Sequence, residues 1–255
     1  MEHIWLLIAT AFGVGGATVI GAVIGFIFKG ISHKFSDAVL AFAAGVMLAA
    51  AVLGLIIPSL EHGGELSILI TSAGIVAGAV CMKLVDVLVP HLHKMSESGE
   101  DIESHGRNKS IDKVILFVIA IAIHNLPEGI SAGVGFGTGN EGEAILIALG
   151  IALQNIPEGM VIIAPMLATG MSPKKTFLIA AATGMIEVVG TFIGFLAVSV
   201  ADFILPFALS FAGGTMLYVI SDEMIPETHA HGAESAATFS LIAGFILMLV
   251  FDFFI

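Results

Sequence analysis

The sequence has little charge and almost no cysteine. Asp, Glu, Lys and Arg together make up 12% of its 255 residues, against roughly 25% in soluble domains. Cys81 is the single cysteine, which excludes an intrachain disulfide. Only 9 Lys and Arg residues oppose 21 Asp and Glu residues, for a net charge of −12. This acidic balance argues against a nucleic-acid partner, because nucleic acids attract basic surfaces.

Apolar residues fill most of the chain instead. They make up 57% of it, and the mean hydropathy is +1.05. A soluble fold of this length could not bury so much apolar surface, so lipid must cover part of it. A bilayer crossing takes roughly 20 mostly apolar residues, and eight spans of that kind can be marked. They lie at about 4–28, 38–60, 66–90, 114–136, 144–169, 176–200, 203–225 and 236–255.

The predicted fold is therefore an all-α polytopic membrane protein. The eight transmembrane helices form a single transmembrane domain over 1–255, with a longer polar loop at 91–113. Basic residues are concentrated in three alternate loops, at Lys29 and Lys34, at Lys94, Arg107, Lys109 and Lys113, and at Lys174 and Lys175. By the positive-inside rule these loops face the cytoplasm and both termini face outward. We expect an integral protein of the plasma (inner) membrane.

Two pairs of segments repeat within the chain. The segment HNLPEG (124–129) in predicted helix four returns as QNIPEG (154–159) in predicted helix five. The segment FAAGVML (42–48) in helix two resembles FAGGTML (211–217) in helix seven. Both pairs lie on helices predicted to run in opposite directions, and secondary transporters are often built from such inverted repeats. Chance similarity of apolar segments explains the second pair well and the first pair poorly.

Polar side chains inside predicted helices four, five and six lie at helical spacing. They are His124, Asn125, Glu128, Gln154, Asn155, Glu158 and Glu187. Residues at i, i+1 and i+4 share one face of a helix, so each helix presents one polar face. An ionised side chain at a helix centre costs about 2.5–3.5 kcal/mol. No basic residue lies at that depth, so a bound cation or protonation must compensate the three glutamates.

Pro127 and Pro157 lie beside these polar faces. A proline inside a helix removes one backbone hydrogen bond and kinks the helix, so both helices are predicted to be kinked at their centres. The kinks free the carbonyls of Ile123 and Leu153, which at bilayer depth must meet protein or a water-filled cavity. Imidazole, carboxylate and amide oxygens together suit Zn²⁺, Fe²⁺ or Mn²⁺, whereas Ca²⁺ and Mg²⁺ prefer oxygen alone.

These motifs, with Glu187 on the following helix, resemble the ZIP family of metal transporters, and specifically its GufA-like branch. The resemblance covers essentially the whole chain and implies a binuclear metal centre. One position takes His124, Glu128, Gln154 and Glu158, with Met47 of helix two as a further candidate ligand. The second position takes Asn125, Asn155 and Glu187, with Glu128 and Glu158 bridging. Many members have histidine at the position of Gln154 and some have aspartate at that of Asn155, which leaves the metal preference open.

The resemblance also implies what the protein does. It implies a carrier for divalent metal ions, zinc first and iron, manganese or cadmium as other candidates, that moves its cargo toward the cytoplasm without a cofactor. It further implies a homodimer in the lipid bilayer, and an elevator-like motion of helices one, four, five and six against two, three, seven and eight.

Flanking residues could serve the same route. Asp222, Glu223, Glu227, His229 and His231 are candidates for receiving the ion on release, and His91, His93 and His105 are candidates for regulation. For the first set a role without the ion is an equal alternative, and for the loop histidines the simpler interpretation is favoured, because flexible loops often hold histidines.

Two other classes of function stay open at this point. One is a metal-selective channel or passive pore, for which the paired Asn-x-Pro segments offer a superficial likeness. The other is an intramembrane metalloenzyme, in which buried His and Glu would activate a metal-bound water. The HExxH spacing of many metalloproteases is absent from the sequence.

Overall fold

The computed structural model describes residues 2–28, 32–88, 122, 124–200 and 202–255. The regular structure within these ranges is helical, in eight segments. We number them α1 (Glu2–Ile27), α2 (His33–His62), α3 (Ser67–Leu88), α4 (124–134), α5 (Glu141–Ala168), α6 (Pro173–Val200), α7 (Leu205–Thr228) and α8 (Glu234–Phe254).

Seven of these helices, all except α4, are long and apolar enough to cross a membrane. Large apolar side chains such as Trp5, Leu69 and Phe239 project from them into the surroundings, as a surface covered by lipid requires. The all-α membrane fold is thus confirmed. Much of predicted span 114–136 lies outside the described residues, as do the loop 91–113 and its basic and histidine residues, so the count of eight spans stays a prediction.

Helices α2 and α7 share an unusual backbone. Each changes from α-helix to π-helix partway along, at Ala50–Ile56 in α2 and at Ile220–Met224 in α7. Each then resumes as α-helix with an Ile-Pro pair, where the missing proline N–H is harmless. The shared geometry follows directly on the FAAGVML and FAGGTML segments, so it supports a true repeat over chance similarity. Short π-helical segments occur frequently at functional sites.

The α2 and α7 copies run in opposite directions. Ser59, near the end of α2, donates a hydrogen bond to the carbonyl of Pro206 at the start of α7, at 2.6 Å. Asp37, near the start of α2, contacts His231 just beyond the end of α7, at 3.1 Å. End meets start at both contacts, which is the antiparallel arrangement expected of an inverted repeat.

Helix α5 accommodates its proline without ending there. Pro157 lies inside the continuous helix Glu141–Val161, and the helix breaks one turn later, at Ile162. The amide of Ile162 still bonds to the carbonyl of Glu158 at 3.4 Å, and a second short helix follows. In α4, the carbonyl that Pro127 is predicted to free is that of Ile123, which lies outside the described residues. The kinks at both prolines stay predictions.

Glycines bring α1, α4, α5 and α6 into backbone contact. Gly15 of α1 and Gly184 of α6 lie against each other so closely that a methyl group on either would overlap the other's carbonyl oxygen. Gly129 of α4 lies in the same way against the backbone of Glu187. Small residues permit this approach between membrane helices. The four helices that form this first group therefore pack as one body around the site glutamate.

A second group, α2, α3, α7 and α8, is joined by glycines of its own. Gly45 of α2 lies against the backbone of Leu241 in α8, and Gly78 of α3 lies against that of Phe211 in α7. The two groups meet differently. Where Gly54 of α2 approaches α5, its nearest neighbour is the Ile147 side chain, and apolar side chains fill the rest of this boundary. They include Met47, Leu55, Ile151 and Met216.

Adjacent glycines in α1 offer a direct test of this packing. We expect Gly15→Ala to destabilise the protein by about 1–3 kcal/mol, because the added methyl group overpacks against the Gly184 backbone. A methyl group added at Gly16 would have nothing within 4 Å, so Gly16→Ala should be neutral or stabilise by up to about 1 kcal/mol. Thermal unfolding in detergent measures both. Equal unfolding midpoints for the two variants would contradict the backbone contact.

Candidate metal site

The structure brings the predicted polar side chains together between α4, α5 and α6. Asn125, Glu128, Gln154, Asn155 and Glu187 are each at most 3% exposed. The carboxylate of Glu128 interacts electrostatically with those of Glu158 and Glu187, and its other neighbour is the Gln154 side chain, a hydrogen-bond donor. Three helices thus contribute three acidic groups to one site, in which Glu128 and Glu187 are buried and Glu158 is half-buried.

Glu187 of α6 is at the centre of a hydrogen-bond network. Its Oε1 accepts from Asn125 Nδ2 at 2.8 Å and from the Thr18 hydroxyl of α1 at 2.7 Å. Its Oε2 accepts a short hydrogen bond from Asn155 Nδ2, which also donates to the carbonyl of Val14 in α1 at 3.1 Å. Four helices are therefore joined through one buried carboxylate.

Several acceptor atoms of the same site lack a donor. Asn125 Oδ1, Asn155 Oδ1, Gln154 Oε1 and Glu128 Oε2 are buried and have no hydrogen-bond partner among the described residues. A buried polar atom left unpaired costs about 1–3 kcal/mol, and most buried polar atoms in proteins are paired. Four unpaired oxygens on neighbouring side chains fit the coordination of a cation.

His124 and Glu223 form the side of the site that faces α7. His124 Nε2 lies 3.1 Å from Glu223 Oε1, and the carboxylate of Glu158 interacts electrostatically with both side chains. Glu223 belongs to the π-helical segment of α7. The sequence had suggested this glutamate for release of an ion, and the structure places it in direct contact with the predicted ligand His124.

The acidic and histidine side chains do not enclose an ion by themselves. Within the described part of the chain, no three His, Cys, Asp or Glu side chains are arranged closely enough to hold a metal. An ion at this site must therefore recruit the amide oxygens, or draw Glu158 and His124 away from Glu223. Gln154 and the asparagines matter to the site for this reason.

The remaining candidates lie in other surroundings. Met47 is buried in the apolar boundary between the two helix groups, where packing alone accounts for it, so its role as a ligand stays a prediction. His231 pairs with Asp37 and its ring stacks on that of His33, with 5.0 Å between centroids. His229 Nδ1 lies 2.8 Å from the carbonyl of Ile225. Neither histidine joins the central cluster.

Thr18 is the functional residue that sequence reasoning missed. It is 1% exposed and is one of two threonines in α1, whose other residues from Ile4 onward are apolar or glycine. Its position between Ala17 and Gly21, where helices can approach closely, was the available signal. What the sequence could not show is that the hydroxyl meets Glu187, a residue 169 positions away.

Apolar helices around a buried cluster of carboxylates, amides and a histidine define a multi-pass membrane protein with an internal polar site. The ZIP zinc transporter family model matches residues 93–252. Zinc transporter ZIPB of Bordetella bronchiseptica is 36% identical over 242 residues, which cover 92% of this chain and 77% of that protein. This chain belongs to the ZIP family, as its motifs had indicated.

Two further relatives refine the comparison. Zinc transporter GufA of Myxococcus xanthus is 42% identical over 165 residues, which cover 65% of this chain and 63% of GufA, less than two thirds of its length. Zinc transporter ZupT of Chlorobaculum parvum is 33% identical over 248 residues, which cover 92% of each chain. The similarity to GufA confirms the branch of the family that the motifs predicted.

The contact between His124 and Glu223 can be measured by a double-mutant cycle. We expect His124→Ala and Glu223→Ala to show an interaction free energy of about 0.5–3 kcal/mol in the unfolding of the purified protein, the range for side chains in contact. Glu234, exposed at the start of α8, provides the control, since Glu234→Ala should be additive with His124→Ala. Additivity of the His124 and Glu223 changes would contradict this contact.

Proposed function

We propose that this chain transports divalent transition-metal ions across the membrane, with zinc as the first candidate and iron, manganese and cadmium as further cargoes. The observation that carries the proposal is the set of four buried, unpaired acceptor oxygens beside three glutamates and a histidine. A carrier needs acceptors that a cation can satisfy and then leave. The relatives named as zinc transporters support the same cargo.

The ion binds between α4 and α5 in this scheme. His124, Glu128, Gln154 and Glu158 provide imidazole nitrogen, carboxylate oxygen and amide oxygen, a mixture that suits zinc and its neighbours. Metal ligands must be deprotonated, so binding releases any protons that the glutamates or His124 carry. Glu223 bonds to His124 in the metal-free site, so an arriving ion competes with this carboxylate for the imidazole.

The replacement of a ligand histidine by Gln154 weakens the donor set. An amide oxygen is a harder and weaker donor for Zn²⁺ than imidazole is, because softer nitrogen ligands favour zinc. Intermediate affinity serves a carrier, since its cargo must dissociate on the far side. An amide oxygen at this position also lowers the advantage of zinc over Mn²⁺, which oxygen ligands suit well.

Transport proceeds by movement of the first helix group (α1, α4, α5, α6) against the second (α2, α3, α7, α8). The packing supports this division. Wherever a methyl group added to a helix glycine would come within 3.0 Å of the backbone of another helix, the two helices belong to the same group. Apolar side chains fill the boundary between groups, and such contacts are non-directional. Sliding at this boundary therefore breaks few hydrogen bonds, and the His124–Glu223 pair is one that must open.

The direction of transport is uptake toward the cytoplasm, by a homodimer with both termini outside. The support for orientation is the concentration of Lys and Arg in three alternate loops. The support for uptake and for the dimer is membership of the family alone.

The competing classes of function are less favoured. The relatives are transporters by name, which speaks against an intramembrane metalloenzyme. A passive pore for water or small solutes has no use for three glutamates at one site. A metal-selective channel differs from a carrier in rate and saturation, and the uptake experiment below separates them.

Metal uptake into proteoliposomes tests the proposal. We expect saturable uptake of Zn²⁺, and Glu158→Ala should reduce it at least tenfold, because loss of outer partners alone costs metal sites about 10–100-fold. The exposed carboxylate of Glu234 provides a matched control, and Glu234→Ala should retain wild-type uptake. Comparison of Zn²⁺, Fe²⁺, Mn²⁺ and Cd²⁺ gives the metal order. Full Zn²⁺ uptake by a well-folded Glu158→Ala protein would contradict transport through this site.

A cross-link between α2 and α5 tests the movement of the two groups. A methyl carbon added at Gly54 would lie 3.7 Å from the Cβ of Ile147, close to the mean of about 3.8 Å in disulfides. In a Cys81→Ser background, Gly54→Cys combined with Ile147→Cys should lose uptake on oxidation and regain it on reduction. Each single cysteine variant should be insensitive to the oxidant. Undiminished uptake by fully cross-linked protein would exclude sliding at this boundary.

A further inference from the structure

Both oxygens of the Glu187 carboxylate are already engaged by the protein. Asn125 and Thr18 donate to Oε1, and Asn155 donates to Oε2. All four side chains are at most 1% exposed. Hydrogen bonds to a charged acceptor are stronger than neutral ones. Three of the roughly four lone-pair positions of the carboxylate are thus taken by protein donors, so an ion could reach Glu187 through at most one free position of Oε2 unless it displaced a donor.

The same bonds decide which way the two asparagines face. In an amide, the nitrogen and the oxygen diverge from one carbon, so an Nδ2 that points to Glu187 turns Oδ1 away from it. Asn125 Oδ1 and Asn155 Oδ1 are indeed the atoms left without a partner among the described residues. Without the carboxylate, Asn125 would lose the acceptor that orients its amide, and Asn155 would keep only its bond to the Val14 carbonyl.

We propose that Glu187 and Thr18 are positioning residues, which orient the amides of Asn125 and Asn155 so that both amide oxygens face the transported cation. This inference rests on the proposed function and changes the role of one predicted ligand. Glu187 holds the ligands and does not bind the ion. The site of this chain then takes one ion, where the resemblance to the family implied two.

The identity of Asn155 supports this assignment. An aspartate at this position, as in some relatives, could not donate to Glu187 and would place two carboxylates against each other, which a second cation would have to neutralise. The amide of Asn155 is neutral and donates instead to Glu187 and to the Val14 carbonyl. The negative charge available for a second ion is therefore lower by one than with an aspartate, and three protein donors already share the charge of Glu187.

Thr18 anchors the network to the neighbouring helix. Its hydroxyl lies 2.7 Å from Glu187 Oε1, and its backbone packs directly against Gly159, the residue after the predicted ligand Glu158. A threonine hydroxyl rotates freely unless it is bonded, so the bond to Glu187 is the contact that Thr18 adds to helix packing. Removing the hydroxyl while keeping the branched shape isolates this contact.

The first measurement counts ions on the purified full-length protein by equilibrium binding of Zn²⁺. The number of ions at the site is the number of Zn²⁺ ions bound per wild-type chain minus the number bound per Glu128→Ala chain. This subtraction removes ions bound by histidines on the surface. We expect one ion in the wild type, and still one, bound more weakly, in Glu187→Gln. Two ions in the wild type with one lost in Glu187→Gln would make Glu187 a ligand and overturn the inference. No excess binding by the wild type would instead overturn the proposed function, and the inference with it.

The second measurement is uptake by Thr18→Val in proteoliposomes. We expect the Zn²⁺ concentration at half-maximal uptake to rise about tenfold, in line with loss of a hydrogen bond to a charged group, while the maximal rate changes less than about twofold. Thr18→Ser restores the hydroxyl and should return the wild-type value. Thr183, 2% exposed and bonded to the Ala180 carbonyl of its own helix, supplies the control Thr183→Val, which should not change it. Wild-type half-saturation in Thr18→Val, or failure of Thr18→Ser to restore it, would overturn the role of Thr18.

Discussion

The burial of Glu128 and Glu187 at one site, without a Lys or Arg partner among the described residues, is the constraint on which the rest of this structure depends. A carboxylate in a dry interior loses its hydration, and that loss is severe unless other groups replace the water. For Glu187 the protein replaces it with two amides and a hydroxyl. For Glu128 it leaves one oxygen unpaired among the described residues. This difference separates a carboxylate that belongs to the framework from one that is available to an arriving cation.

Close helix packing is what keeps this site dry. Gly129 lets α4 lie on the backbone of Glu187, and Gly15 with Gly184 does the same for α1 and α6. Backbone contact excludes water more completely than side-chain contact, and it also joins the four helices of the first group firmly. Apart from the His124–Glu223 contact, the boundary with the second group consists largely of apolar side chains. In the proposed mechanism, the first helix group needs close packing around the ion site. It also needs a boundary with few directional contacts, along which it can slide.

The His124–Glu223 pair connects these two features. His124 belongs to the first group and Glu223 to the second, and their side chains meet at 3.1 Å across the boundary. The π-helical segment of α7 presents this glutamate, and its counterpart in α2 supports an inverted repeat. In the proposed scheme, a cation that binds His124 Nε2 takes the place of its contact with Glu223, so cargo binding acts directly on a contact between the two groups.

The sequence by itself determined the helical membrane fold. Its long apolar segments must be covered by lipid, and in lipid a helix satisfies every backbone hydrogen bond. Helical periodicity then assigns each polar residue to a face. It also determined the central cluster: Glu128, Gln154 and Glu187 could be selected because they stand out from an apolar background. Only the tertiary structure decided the partners. Thr18 and Glu223 lie far along the chain from their partners Glu187 and His124. The first contact depends on how closely α1 approaches α6, and the second on how the π-helical segment of α7 directs the Glu223 side chain. Those quantities are set by packing between helices, and no local pattern encodes them.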